Sequence, residues 1–128
     1  MKEVVLRGTV ITGEGNGKKY LSLPWVRQQI EEKLGYLPYL GTLNVRLTRK
    51  SVKNKRTLLK IRSIVICPAD GFCMGTLFKA FVLGSECAVV LPEVEKYPEN
   101  LLEIIAPVNL RERLLLEDGD TVEIAVQV

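Results

Sequence analysis

The sequence predicts a mainly β domain whose strands close, or nearly close, into a barrel. Five to seven short β-type segments recur between turn signals, a single segment carries a clear helical stripe, and the strand and helix alternation of a parallel α/β sheet is missing. With 128 residues, 47% of them hydrophobic, the chain has enough apolar material for one core without disulfide or metal staples. No repeat, low-complexity tract or linker divides it, so residues 1–128 are expected to form a single domain.

Residues 4–12 are rich in β-branched side chains and read as a strand running into Gly13. Ser22 is a candidate helix cap with Pro24 in the first turn, after which Val26, Ile30 and Leu34 fall on one stripe before Gly35 stops it. Trp25 flanks that stripe. Residues 36–41 form a connection, and residues 42–48 alternate polar and apolar, which calls for a half-buried strand with Leu43, Val45 and Leu47 pointing inward. Further β-type segments are expected at 58–67, 73–83 and 87–91, separated by turn signals at 68–71 and 84–85. Residues 99–105 suit a helix or a strand equally, 107–116 contain a short helical turn, and Asp118-Gly119-Asp120 launches a last strand over 121–128.

Charge and cysteine content narrow the chemistry. Cys67, Cys73 and Cys87 match no paired ligand spacing, and with no histidine in the chain they read as core thiols. The lack of imidazole leaves carboxylates, lysines, a metal ion or positioning to carry any catalysis. Net charge is +3, but Arg46, Arg49, Lys50, Lys53, Lys55, Arg56, Lys60 and Arg62 form a block without acids, leaving the rest of the chain net acidic. Such a block contacts a nucleic-acid backbone, steers a polyanionic small molecule or, most commonly, is a solvated hairpin tip; no aromatic residue within it offers a stacking platform. The first residues lack the regions of a signal peptide and no long apolar run follows, so a soluble cytoplasmic protein is expected, with no membrane partner.

Three stretches carry candidate chemistry. In Gly13-Glu14-Gly15-Asn16-Gly17-Lys18-Lys19, alternating glycines free successive N–H groups to converge on phosphate oxygens while two lysines add charge. Neither standard nucleotide pattern matches: a P-loop needs glycine at Thr12 and a hydroxyl at Lys19, and a flexible hairpin turn explains the same glycines as well. Thr42 and Asn44, two apart on a strand and preceded by Gly41, present a hydroxyl and an amide oxygen on one face, hard ligands of the kind Mg²⁺ accepts, although such residues also occur on ordinary solvent-facing strands. Residues 103–112 join Glu103 to an apolar run and a proline that holds Ala106 extended, exposing backbone groups able to read a base edge or simply ending a strand in a turn.

Together, the glycine run with Tyr20-Leu21-Ser22-Leu23-Pro24, the stretch Pro38-Tyr39-x-Gly41-Thr42-Leu43-Asn44-Val45, the run from Leu102 to Glu112 and Leu116-x-Asp118-Gly119-Asp120-x-Val122 resemble the archaeal CTP-dependent riboflavin kinases over nearly the whole chain. The resemblance implies a six-stranded cradle-loop, RIFT-related β-barrel with one or two short helices, transferring the γ-phosphoryl of CTP to the 5′-hydroxyl of riboflavin to give FMN and CDP. It implies that Glu14, Gly15, Asn16, Gly17, Lys18 and Lys19 hold the CTP phosphates and that Thr42 and Asn44 bind Mg²⁺. By the same resemblance Val108, Asn109, Leu110 and Arg111 contact the cytosine end, and Glu103 touches the flavin and is the candidate to orient or deprotonate its hydroxyl. Where members of the family often place Thr or Ser followed by His near the flavin, this chain has Glu95, Lys96 and Tyr97, so Glu95 becomes the candidate flavin contact there. Two other readings stand beside the kinase: a basic nucleic-acid-binding barrel, and a barrel that retains flavin or nucleotide without turnover.

Overall fold

The computed structural model describes residues 2–13, 21–61, 64–66, 75–92 and 96–128. Seven strands are seen among them, β1 (Glu3–Ile11), β2 (Leu43–Leu47), β3 (Ile64–Ile66), β4 (Gly75–Val82), β5 (Ser85–Pro92), β6 (Leu101–Ile105) and β7 (Thr121–Gln127). Three helices accompany them, α1 (Pro24–Leu34), α2 (Arg49–Leu58) and α3 (Leu110–Arg113). Antiparallel pairing runs β4, β5, β6, β2, β1, β7 and back to β4, a closed ring of six, while β3 hangs on β4 outside it. One edge of β4 is divided between two partners, Gly75 to Leu77 taking β3 and Ala80 to Val82 taking β7.

Period-two alternation fills the ring. Leu6 and Val10, Leu43 and Val45, Phe78 and Ala80, Val89 and Leu91, Leu102 and Ile104, and Ile124 and Val126 all point inward into one buried cluster. At Gly8, between Leu6 and Val10 on the inward phase, an added Cβ would lie 2.4 Å from the Arg46 carbonyl oxygen, so β1 and β2 approach as closely as they do only with glycine there. A second buried cluster lies outside the barrel, where Val26, Ile30 and Leu34 of α1, with Leu21, cover Leu77, Ala88, Val90 and Ile105. Residues 87–91 are buried without interruption because β5 faces the interior on one side and α1 on the other. The Cys87 thiol, pushed up to about 12 by burial and then by Glu86, is an inert core group; Cys67 and Cys73 lie outside the described residues.

The stripe Val26, Ile30, Leu34 is buried as its spacing requires, Trp25 packs beside it, and Gly35 closes α1 at φ +84°. The residue preceding the helix is Leu23 rather than Ser22, with Pro24 as the first helical residue. The larger correction concerns the basic block, expected to include a strand from residue 58: residues 49–58 are α2, and the strand there shrinks to β3. Thr48 caps α2 by accepting from the Ser51 N–H, and Leu58 is buried in the barrel cluster with Val52 packed against it. Ser51 in turn accepts from the Arg7 N–H of β1 at 2.7 Å. The described residues thus hold three helices where one or two were expected, and within residues 99–105 the stretch Leu101–Ile105 is strand β6.

Phe78 is the largest fully buried side chain of the barrel interior. Phe78→Ala is expected to lower unfolding stability by about 3–5 kcal/mol, read from the midpoint of a urea titration with unchanged slope.

Candidate active site

Leu43, Val45 and Leu47 occupy the inward phase of β2, so Asn44 is turned to the outer wall. There Asn44 pairs with Ile11 of β1 on one side and with Glu103 of β6 on the other. Glu103 is paired in turn with Val90 of β5. Antiparallel neighbours share a face, so the proposed metal ligand and the proposed acceptor-orienting carboxylate stand side by side. Thr42, just ahead of the strand, donates its hydroxyl to Asn44 Oδ1 at 2.8 Å.

Gly13 lies against the Asn44 side chain. A Cβ on it would fall 1.6 Å from Asn44 Nδ2, so the amide packs against a bare α-carbon. Both neighbours of the glycine run are therefore fixed: Gly13 rests on Asn44, and Leu21 is buried beneath α1. Glu14, Gly15, Asn16, Gly17, Lys18 and Lys19, the candidate phosphate contacts, lie outside the described residues, as does Glu95.

The outer wall at Glu103 is electrostatically unusual. Burial raises the Glu103 carboxyl above its ordinary range, opposed by neighbouring Tyr97 and Lys55. Lys55 of α2 is itself buried; its Nζ donates to the Leu101 carbonyl at 2.9 Å and the Glu99 carbonyl at 3.3 Å and sits 5.2 Å from the centre of the Tyr97 ring. Burial depresses its pKa, while Glu99 and Glu103 act the other way. The Tyr97 hydroxyl is buried beside Glu103, close enough to influence it but without a formed hydrogen bond among the described residues, and burial drives its pKa upward. The basic block is therefore not one phosphate-tracking surface, since Lys55 points inward and Arg56 is paired with Glu99.

Beside Thr42 a cleft of about 120 Å³ opens between Tyr39, Gly41, Ala106 and the run Val108, Asn109, Leu110, Arg111. Two stretches singled out in the sequence thus line one hollow. Asn109 Oδ1 caps α3 by accepting from the N–H groups of Arg111 and Glu112, and its Nδ2 donates to the Tyr39 hydroxyl at 3.2 Å. That side chain is committed to holding the loop. The Val108 N–H and C=O and the Asn109 and Leu110 N–H groups make no hydrogen bond among the described residues. Asp118 links this region to the glycine run, accepting from Thr12 at 2.6 Å and from Arg111 at 2.8 Å, and these two bonds, Thr12 first, hold its carboxyl below the usual range.

Sequence reasoning missed Tyr39, Lys55 and Asp118 as parts of this region. Tyr39 and Asp118 lay within stretches that carry the family resemblance but were given no role of their own, and Lys55 stood in a run of cations read as exposed. Among the described residues no three His, Cys, Asp or Glu side chains gather as a metal cluster, and no helix is long and apolar enough to cross a membrane.

Fold and site define a closed six-stranded barrel whose outer wall sets Asn44 beside Glu103, next to a small cleft lined by residues 108–111. A family model named CTP-dep_RFKase, described as domain of unknown function DUF120, matches residues 10–126. The chain is 43% identical over 129 residues to a protein named riboflavin kinase from Ignicoccus hospitalis, covering 98% of this chain and 72% of that one. Riboflavin kinases from Pyrobaculum aerophilum and Archaeoglobus fulgidus are 44% and 41% identical over 94% and 96% of the chain. The chain spans 60% and 54% of those two relatives' lengths. It belongs to the CTP-dep_RFKase family.

A carboxyl whose folded-state pKa is raised contributes stability below its unfolded value and loses it as pH climbs through the folded one. Glu103→Gln is therefore expected to gain thermal stability relative to the parent protein as pH rises above the ordinary carboxylate range, followed by melting curves from acid to alkaline pH.

Proposed function

We propose that this chain transfers the γ-phosphoryl group of CTP to the 5′-hydroxyl of riboflavin, giving FMN and CDP. The observation that carries the reading is the cross-strand pairing of Asn44 with Glu103, with Gly13 against the Asn44 side chain, next to the cleft lined by Thr42 and residues 108–111. Family membership supports it, because the relatives cited carry the name riboflavin kinase.

The residues fit a magnesium ion on their own chemistry. The Thr42 hydroxyl and the Asn44 amide oxygen lie side by side, 2.8 Å apart, and are hard neutral oxygens of the kind Mg²⁺ takes. Thr42 and Asn44 would hold the ion, which when bound neutralises charge on the donor phosphates. Both ligands are uncharged, leaving the cation's charge available to the phosphates.

Phosphoryl transfer asks the protein mainly to align two oxygens and to balance charge. The riboflavin 5′-oxygen forms a bond to the γ-phosphorus as the bond from γ-phosphorus to the bridging oxygen breaks, and CDP leaves with that electron pair. The hydroxyl proton passes to Glu103, whose pKa burial raises, making it a stronger base than an ordinary carboxylate. Glu14 to Lys19 hold the polyphosphate, and Glu95 with Glu103 contacts the flavin. Cytosine presents one donor and two acceptors on its pairing edge, and the Val108 carbonyl with the Asn109 and Leu110 N–H groups supplies the complement.

Incubation with riboflavin, Mg²⁺ and each of the four nucleoside triphosphates is expected to yield FMN by chromatography with CTP alone; formation of FMN with ATP and not CTP would overturn the donor assignment. Thr42→Ala is expected to reduce turnover at least about tenfold while riboflavin affinity, measured by flavin fluorescence, stays near the parent value. Glu103→Gln is expected to slow turnover at saturating riboflavin about 100-fold, and undiminished turnover would remove Glu103 from the chemistry.

A further inference from the structure

Tyr39 is 45% exposed, yet it is fixed from several directions. Its main-chain N–H donates to the Ala106 carbonyl at 2.7 Å, its carbonyl accepts from the Gly41 N–H at 2.9 Å, and its hydroxyl accepts from Asn109 Nδ2 at 3.2 Å. Gly41 lies against the ring edge, where a Cβ would come within 3.1 Å of a ring carbon. The ring thus lines the cleft, held at one end by its backbone and at the other by its phenol oxygen. A freely solvated tyrosine has no need of such restraint, whereas a planar ligand gains from a ring that is already immobile.

We infer that the Tyr39 ring is the stacking platform for the base of the donor nucleotide, a binding role that deepens the proposed kinase reading and rests on it. The main-chain polar groups of residues 108–110 line the same cleft, so a base meeting them edge-on would bring its flat side to the ring. The bond between Asn109 and Tyr39 makes the two devices one unit. The same amide caps α3, sets the backbone groups that meet the base edge and fixes the tilt of the ring. Discrimination and affinity therefore divide between main chain and Tyr39, because stacking favours any base and the edge contacts select among them.

The test compares the parent protein with Tyr39→Ala, Tyr39→Leu and Tyr39→Phe in calorimetric titrations of CDP and of inorganic triphosphate, both with Mg²⁺. The Ala and Leu variants are expected to lose about 10- to 100-fold in CDP affinity and to bind triphosphate as the parent does. The Phe variant keeps the ring and loses one hydrogen bond, so its CDP affinity is expected within about fivefold of the parent. Equal losses for CDP and triphosphate, unchanged CDP affinity in Tyr39→Ala, or a Phe variant as weak as Ala would each overturn the inference. A parent protein that makes FMN from CTP while Tyr39→Ala binds CDP normally defeats this inference alone. A parent protein with neither CDP affinity nor FMN formation defeats the kinase reading and this inference with it. Melting curves of each variant confirm that the barrel is intact.

Discussion

The register of β2 is the constraint from which the rest of the outer wall follows. With Leu43, Val45 and Leu47 committed to the barrel interior, Asn44 has one possible direction, and its partners on β1 and β6 are then Ile11 and Glu103. A slip of a single residue would bury an amide in an apolar core and turn the leucines to solvent, so hydrophobic burial enforces the polar geometry outside. Site and core are two faces of one strand. This explains how an arrangement of neutral oxygens and a half-buried carboxylate persists with few polar contacts of its own.

Lys55 shows the same economy. A buried ammonium would be costly alone, but two main-chain carbonyls and an aromatic face surround it, and its charge offsets the burial of Glu103 nearby. It also stitches α2 to the start of β6, where Leu47 N–H meets the Asn100 carbonyl. The wall that presents Glu103 is thus braced from below by a cation and from the side by α1.

Much of this was legible in the sequence where a pattern had a physical period. The β2 alternation, the α1 stripe and the strand leading into Gly13 each follow from one buried face, and all three appear where the pattern placed them. α2 escaped because its packing face is largely polar: Ser51 and Lys55 share it with Leu58, so a helix anchored by hydrogen bonds left little apolar signal among the cations. Residues 99–105 were ambiguous since local letters suit either state, and pairing with β2 and β5 decided them. The convergence of Tyr39 with Asn109, and of Thr12 with Asp118, joins residues distant in the chain, which no local pattern can announce.

Closure of the barrel falls to its first and last strands, with β1 and β7 paired from Glu3 opposite Gln127 to Thr9 opposite Thr121. Synthesis proceeds from one end, so a nascent chain carries β1 with one side unmatched until β7 has been made. Until then the ring stays open and the interior leucines and valines lack their full complement of neighbours. Because Val128 N–H bonds to the Lys2 carbonyl, the clamp between β1 and β7 extends past the last ladder pair, and the seam of the barrel is held along its whole length.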